Sequence, residues 1–134
     1  MTELAQRAVA CKGWRWLPGM LTLEEIVPPA ITLGWDAARV LHADEGEAVR
    51  VCTVLGKVRD IHPTALPDLS DDLTRLGLIT LVQEAHPECR IDLCVDLARV
   101  IRSGGEAGNL TDGWLPTAEA LVKALEAAPI GGER

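Results

Sequence analysis

Phe and Tyr are both absent from this 134-residue chain, and four Trp are its only aromatic residues. Any core must therefore be filled by Leu, Val, Ile and Ala. Each Trp can add a large contact area, but a buried indole N–H needs an acceptor. Hydrophobic residues make up 48% of the chain and charged residues 25%. That balance is ordinary for a globular protein and argues against a wholly disordered one. The length fits one domain over residues 1–134, large enough to bury roughly two-thirds of the unfolded surface.

Periodicity gives the elements. Leu4, Ala5, Ala8 and Val9 share one face of a short helix over Thr2–Lys12, which Gly13 stops. Trp14-Arg15-Trp16-Leu17 alternates, so a short strand with both indoles on one face is expected. Pro18-Gly19 is a turn signal. Ile31–Leu33 reads as a short strand after Pro28-Pro29. Residues 39–43 and 48–55 are β-rich runs that form a hairpin around Asp44–Glu47, with Gly46 in its turn. The stretch from Gly56 to Leu69, with Pro63 and Pro67, reads as a loop or sheet edge.

Ser70 opens the strongest helix, with Asp71 and Asp72 at the positive end of its dipole. Its apolar residues, from Leu73 to Ala85, cover more than one face and predict a largely buried helix that Pro87 ends. Cys89–Leu97 alternates as a half-exposed strand. A helix through Leu93, Leu97 and Ile101 is the competing reading of that segment. Ser103–Asn109 is a Gly-rich loop, and Thr117 starts a final helix ended by Pro129. The expected fold is α+β: a single two-layer domain with a small, mainly antiparallel sheet packed by about three helices.

The net charge is −7. Residues 1–20 carry Arg7, Lys12 and Arg15 against Glu3, a net +2 that leaves −9 for the rest. Such a chain lacks the broad positive surface that nucleic-acid binding uses. Cys11, Cys52, Cys89 and Cys94 follow no leader-like apolar segment and are expected to be reduced thiols. No apolar run is long enough to span a membrane.

The motifs that could carry chemistry are sparse. His86-Pro87-Glu88-Cys89 and Cys94 supply three soft or borderline metal donors. A structural zinc site wants four, and the alternation places Cys89 and Cys94 on opposite faces. No Cys has the Gly-rich elbow or helix start that would activate it beside His42, His62 or His86. Asp71 and Asp72 are explained by capping, while Asp92, Asp96 and the acids of 44–47 lack a metal-loop spacing. Gly104–Gly108 lacks the Lys-Ser/Thr ending of a phosphate loop, and Glu106 would repel the anion. Cys11–Met20 remains the densest segment, with two Trp, two basic residues and two glycines. Trp14, Arg15 and Trp16 are residue types favoured at protein interfaces.

The stretch from Leu4 to Met20, LAQRAVACKGWRWLPGM, resembles the start of small uncharacterised proteins of tailed phages and prophages, where Met often replaces Leu17. Leu66–Asp72 running into Leu76-Gly77 and the helix to Ala85 is similar to them again. So is Thr117–Ala128, while residues 24–60 have no counterpart. The resemblance implies a phage origin and a host-cytoplasm setting, and it assigns no activity and no catalytic residue. The expected function is a non-enzymatic accessory protein that binds a phage or host protein, with Trp14, Arg15 and Trp16 at the contact. No cofactor, membrane or direct nucleic-acid partner is expected. Two alternatives stand beside it. One is an acidic inhibitor of a host nucleic-acid-binding or defence protein. The other is a small zinc-stabilised module using His86, Cys89 and Cys94.

Overall fold

The computed structural model describes residues 2–25, 35–43, 48–102, 110–111 and 113–127. They form three helices and two antiparallel sheets, so the fold is α+β. Two compact units divide them. One runs from Trp16 to Gly77, and the other joins Glu3–Arg15 to the residues from Leu78 on.

The Trp16–Gly77 unit holds a five-stranded sheet. Its strands are β1 (Leu21–Glu25), β2 (Trp35–His42), β3 (Arg50–Thr53), β4 (Val58–Asp60) and β5 (Leu66–Pro67), in the order β4-β3-β2-β1-β5. The expected hairpin is β2–β3, with Val40 opposite Val51 and both buried. Its turn, Asp44–Glu47, and the expected strand at Ile31–Leu33 lie outside the described residues. The stretch read as loop or edge supplies both edge strands, β4 and β5. Pro67 fits there, because an edge tolerates a missing N–H.

The strand expected at Trp14–Leu17 does not form; the first strand begins at Leu21. A tight turn follows too soon. Met20 N–H donates to Leu17 O at 3.1 Å across Pro18 and Gly19, and Gly19 has φ +94°. Positive φ at that position is why a glycine stands there. The turn delivers Met20 to the core, where it is fully buried. A Cβ on Gly77 would lie 2.6 Å from Met20 Cε and 3.2 Å from its Cγ, so a larger residue there would make the Met20 side chain shift.

Helix α2 (Asp72–Ala85) starts in this unit and is capped by Asp71. Asp71 Oδ2 accepts the N–H and the hydroxyl of Thr74, both at 3.0 Å, and Arg39 Nη1 at 2.6 Å. The Thr74 hydroxyl in turn accepts Leu21 N–H at 2.8 Å, tying the cap to β1. Burial raises the Asp71 pKa, but the Arg39 guanidinium and the Thr74 bonds outweigh it and hold the carboxyl below its usual range. A folded pKa below the unfolded value stabilises the fold at pH above that value. The contribution is lost as pH falls through the folded pKa. Acidification from about pH 5 to about pH 2 should therefore lower the urea midpoint. Asp71→Asn should start lower and fall less steeply. A variant that loses as much as the wild type on acidification would contradict the assignment.

Helix α2 is not largely buried, contrary to expectation. Thr74, Leu78, Leu81 and Val82 form the buried stripe, and Leu73 and Leu76 are exposed. The stripe follows the i, i+4, i+7, i+8 spacing of one helix face, and Leu73 and Leu76 fall off it.

The other unit contains α1 (Thr2–Val9), from Glu3 on, the second half of α2, β6 (Cys89–Cys94), β7 (Leu97–Arg102), β8 (Leu115–Pro116) and α3 (Thr117–Glu126). Helix α1 ends at Val9, one turn short of the expected Lys12, and buries Ala5 and Ala8. Arg7 grips Glu126 of α3 through Nε at 3.0 Å and Nη2 at 2.6 Å. The three-stranded sheet runs β6-β7-β8. The expected strand over Cys89–Leu97 forms only to Cys94: Val95-Asp96 turn the chain and Leu97 opens β7, which pairs with β6 from Cys89–Arg102 to Cys94–Leu97, so the competing helix is absent. Helix α3 lies against β7, where Ala98 and Val100 are buried. Its Ala120, Leu121, Val122 and Ala124 are fully buried.

The cores are made of Leu, Val and Ala, with Met20. Among the described side chains neither Ile nor Trp is fully buried. No helix among the described residues is long and apolar enough to cross a membrane.

Candidate functional site

The Trp14–Arg15–Trp16 segment is irregular backbone that joins α1 to the Leu17–Met20 turn. Both indoles are half-buried, and the boundary between the two units falls between Arg15 and Trp16. Arg15 is exposed and already engaged: its Nη2 donates to both carboxylate oxygens of Glu84, at 2.8 and 2.6 Å. A surface pair of this kind is worth at most about 1 kcal/mol, so a partner could displace it at small cost.

A second arrangement was hidden from sequence reasoning. Asp92 and Arg99 are directly opposed across β6 and β7. Asp92 accepts Arg99 Nε at 2.9 Å and Arg90 Nε at 2.9 Å, and the two guanidinium groups, Arg90 first, hold its carboxyl below the usual range. The Arg99 guanidinium lies 4.6 Å from the centroid of the Trp114 ring, a cation–π contact. Beside this polar cluster the hairpin ends in Leu93, Val95 and Leu97, all exposed, as is Trp114. Val95 is 94% exposed and sits at φ +52° in the two-residue loop Val95-Asp96. Loops with positive φ at that place ordinarily take glycine or asparagine. The sequence carried no signal for this loop, because neither residue stands between Cys94 and Leu97.

The third arrangement is the corner after α2. His86 N–H donates to Val82 O at 2.8 Å as the last helical bond. Cys89 N–H then donates to His86 O at 3.0 Å, closing a turn over Pro87 and Glu88. Pro87 suits the second position of such a turn. The turn brings His86, Glu88 and Cys89 side chains together, their donor atoms all within 4.8 Å of one another. His86 is fully buried, and Glu88 is exposed beside it. Cys94 is not in this group; it ends β6 and is exposed. Glu88 was missed because sequence spacing drew attention to the thiols.

The remaining candidates have structural partners. His62 Nδ1 is 2.8 Å from the Thr64 hydroxyl, and Asp72 pairs with Arg75 at 2.7 Å. Asp96 lies in the hairpin loop, not on a strand face with Asp92 as its alternation suggested. None of the four thiols forms a disulfide. Burial pushes the Cys11 thiol up, and burial together with Glu88 does the same to Cys89. Both shifts run opposite to what activates a nucleophile. Gly104–Gly108 and the acids of 44–47 lie outside the described residues. No family model, curated protein or solved structure matches the chain.

Proposed function

We propose that this chain is a non-enzymatic accessory protein of a tailed phage or prophage that works by binding a phage or host protein. The resemblance of its Leu4–Met20 segment supports the origin. The hairpin end, with Trp114 beside it, supports the mode of action, and the contact we propose includes it together with Trp14, Arg15 and Trp16.

The observation that carries this reading is Val95. A β-branched residue in the left-handed region costs about 1–2 kcal/mol, and at 94% exposure it gains nothing from burial. It harms the free protein and adds apolar surface only to a complex. Trp114 held under Arg99 supplies two residue types enriched among interface anchors.

Val95→Asn should raise the free energy of unfolding by about 1 kcal/mol and weaken partner binding. A photo-crosslinking residue placed at 95 or at 114 should couple to the same protein in phage-infected cells. One at exposed Lys57, on the other unit, should not. Equal labelling from Lys57 would sink the assignment. Retained binding in Val95→Asn with loss in Trp14→Ala and Trp16→Ala would move the contact to the N-terminal segment.

A further inference from the structure

The corner at His86 goes beyond that reading and is independent of it. His86 Nε2 lies 2.9 Å from the backbone oxygen of Ala124 in α3. A carbonyl oxygen only accepts, so Nε2 carries a hydrogen and donates. In the neutral ring Nδ1 then holds the lone pair, and this nitrogen is buried with no hydrogen-bond partner. A buried polar atom without a partner is rare in folded proteins and points to a function or a ligand. Nδ1 faces the turn: Glu88 Oε1 is 4.0 Å away, and the Cys89 Sγ is 3.8 Å from that same oxygen.

We propose that His86 Nδ1, Cys89 Sγ and a carboxylate oxygen of Glu88 bind a divalent ion of the zinc class. The donor set is one imidazole, one thiolate and one carboxylate, the mixture that borderline metals prefer over hard magnesium or calcium. Ligand bonds of 2.0–2.3 Å in a tetrahedron put donor atoms about 3.3–3.7 Å apart. The three donors already lie within 4.8 Å of one another, so a contraction of at most about 1.5 Å assembles the site. The Ala124 carbonyl fixes the imidazole as second partners of metal-bound histidines do. A thiolate and a carboxylate neutralise a dication. Arg102 Nε stands 3.5 Å from Glu88 Oε1 and would share the carboxylate with the ion. Three protein ligands leave the fourth position to water or to a donor from another molecule. Cys94, an obvious thiol by spacing, takes no part.

Cobalt(II) is the probe, because a thiolate ligand gives it a near-ultraviolet charge-transfer band and visible bands of tetrahedral intensity. Titrated into the reduced full-length chain, it should saturate at one ion per chain and be displaced by zinc. Cys89→Ser should abolish the charge-transfer band and weaken binding at least tenfold. Glu88→Gln should weaken binding with the band retained, and Cys94→Ser should bind as the wild type does. Should Cys89→Ser fold poorly by circular dichroism, alkylation of the wild-type chain decides instead. Zinc should then protect Cys89 from iodoacetamide and leave Cys94 reactive. No saturable cobalt binding, a band that survives Cys89→Ser, or zinc protection that spares Cys89 would each overturn the site.

Discussion

Leu121→Ala should cost the unit that contains α3 about 3–4 kcal/mol. Leu121 is fully buried, and Ala120, Val122 and Ala124 around it in sequence are fully buried too. Deleting a buried leucine removes its transfer free energy and leaves a cavity whose cost depends on how far the surroundings collapse. Ala98 and Ala118 are among the other buried residues of this unit, and such short side chains cannot swing into a void. The cost therefore belongs near the middle of the usual range and not at its foot. Against a typical total of about 5–15 kcal/mol, this is a large fraction. Urea unfolding followed by α-helical circular dichroism should show a lower midpoint with little change in slope. Leu73→Ala, on the exposed side of α2, should stay within about 1 kcal/mol. Equal losses from the two variants would mean that α3 is not where this unit is held.

Arg59→Met should cost the five-stranded unit about 3 kcal/mol. Glu24 on β1 is a carboxylate with a side chain only 8% exposed, and Arg59 comes from β4, three strands away. Arg59 Nη1 reaches Glu24 Oε1 at 3.0 Å and Nη2 reaches Oε2 at 2.6 Å. The sheet is therefore curled enough for its edge to answer a charge on β1. Among the described residues, the other bond to Glu24 is His62 N–H at 3.2 Å. Removing the guanidinium leaves a buried anion with one backbone donor, and an unpaired buried charge is far costlier than the pair is stabilising. Arg59 is itself about one-third exposed, which keeps the figure below the top of the range. The double change Glu24→Leu with Arg59→Met should recover most of the loss, because apolar residues of similar volume often replace a buried pair at no cost. A double variant as unstable as Arg59→Met alone would show that the loss came from packing and not from charge.

Much of this fold was legible where periodicity and turn chemistry agreed. The β2–β3 pair followed from two β-rich runs, and α2 followed from Ser70, Asp71 and Asp72 before an apolar run, though Asp71 and not Ser70 caps it. The β6 strand was legible for the same reason. Its hairpin partner was not, because Leu93, Leu97 and Ile101 also fit a helical period and no glycine marked the loop. The Trp14–Leu17 strand failed because alternation over four residues says little against an adjacent Pro-Gly turn. Strand β1 was missed for the converse reason. Its buried positions are Thr22 and Glu24, polar residues whose burial depends on Ala38 O and on Arg59, distant in sequence. The His86 corner was half legible. His86 and Cys89 showed in the spacing, but Glu88 and the unpartnered Nδ1 emerge only once α3 brings Ala124 O to the ring.

The chain order of the two units has a consequence for how the protein is made. Residues 16–77 are contiguous, so their sheet can complete its pairings as soon as they leave the ribosome. The other unit closes through Arg7 and Glu126, 119 residues apart. At ribosomal speeds of 5–20 residues per second, α1 waits roughly 6–24 s for α3 to emerge. An eight-residue helix is marginal on its own. During that interval Arg7 has no Glu126 to hold, and the apolar face of Leu4, Ala5, Ala8 and Val9 sits on a helix too short to be stable alone, open to chaperones.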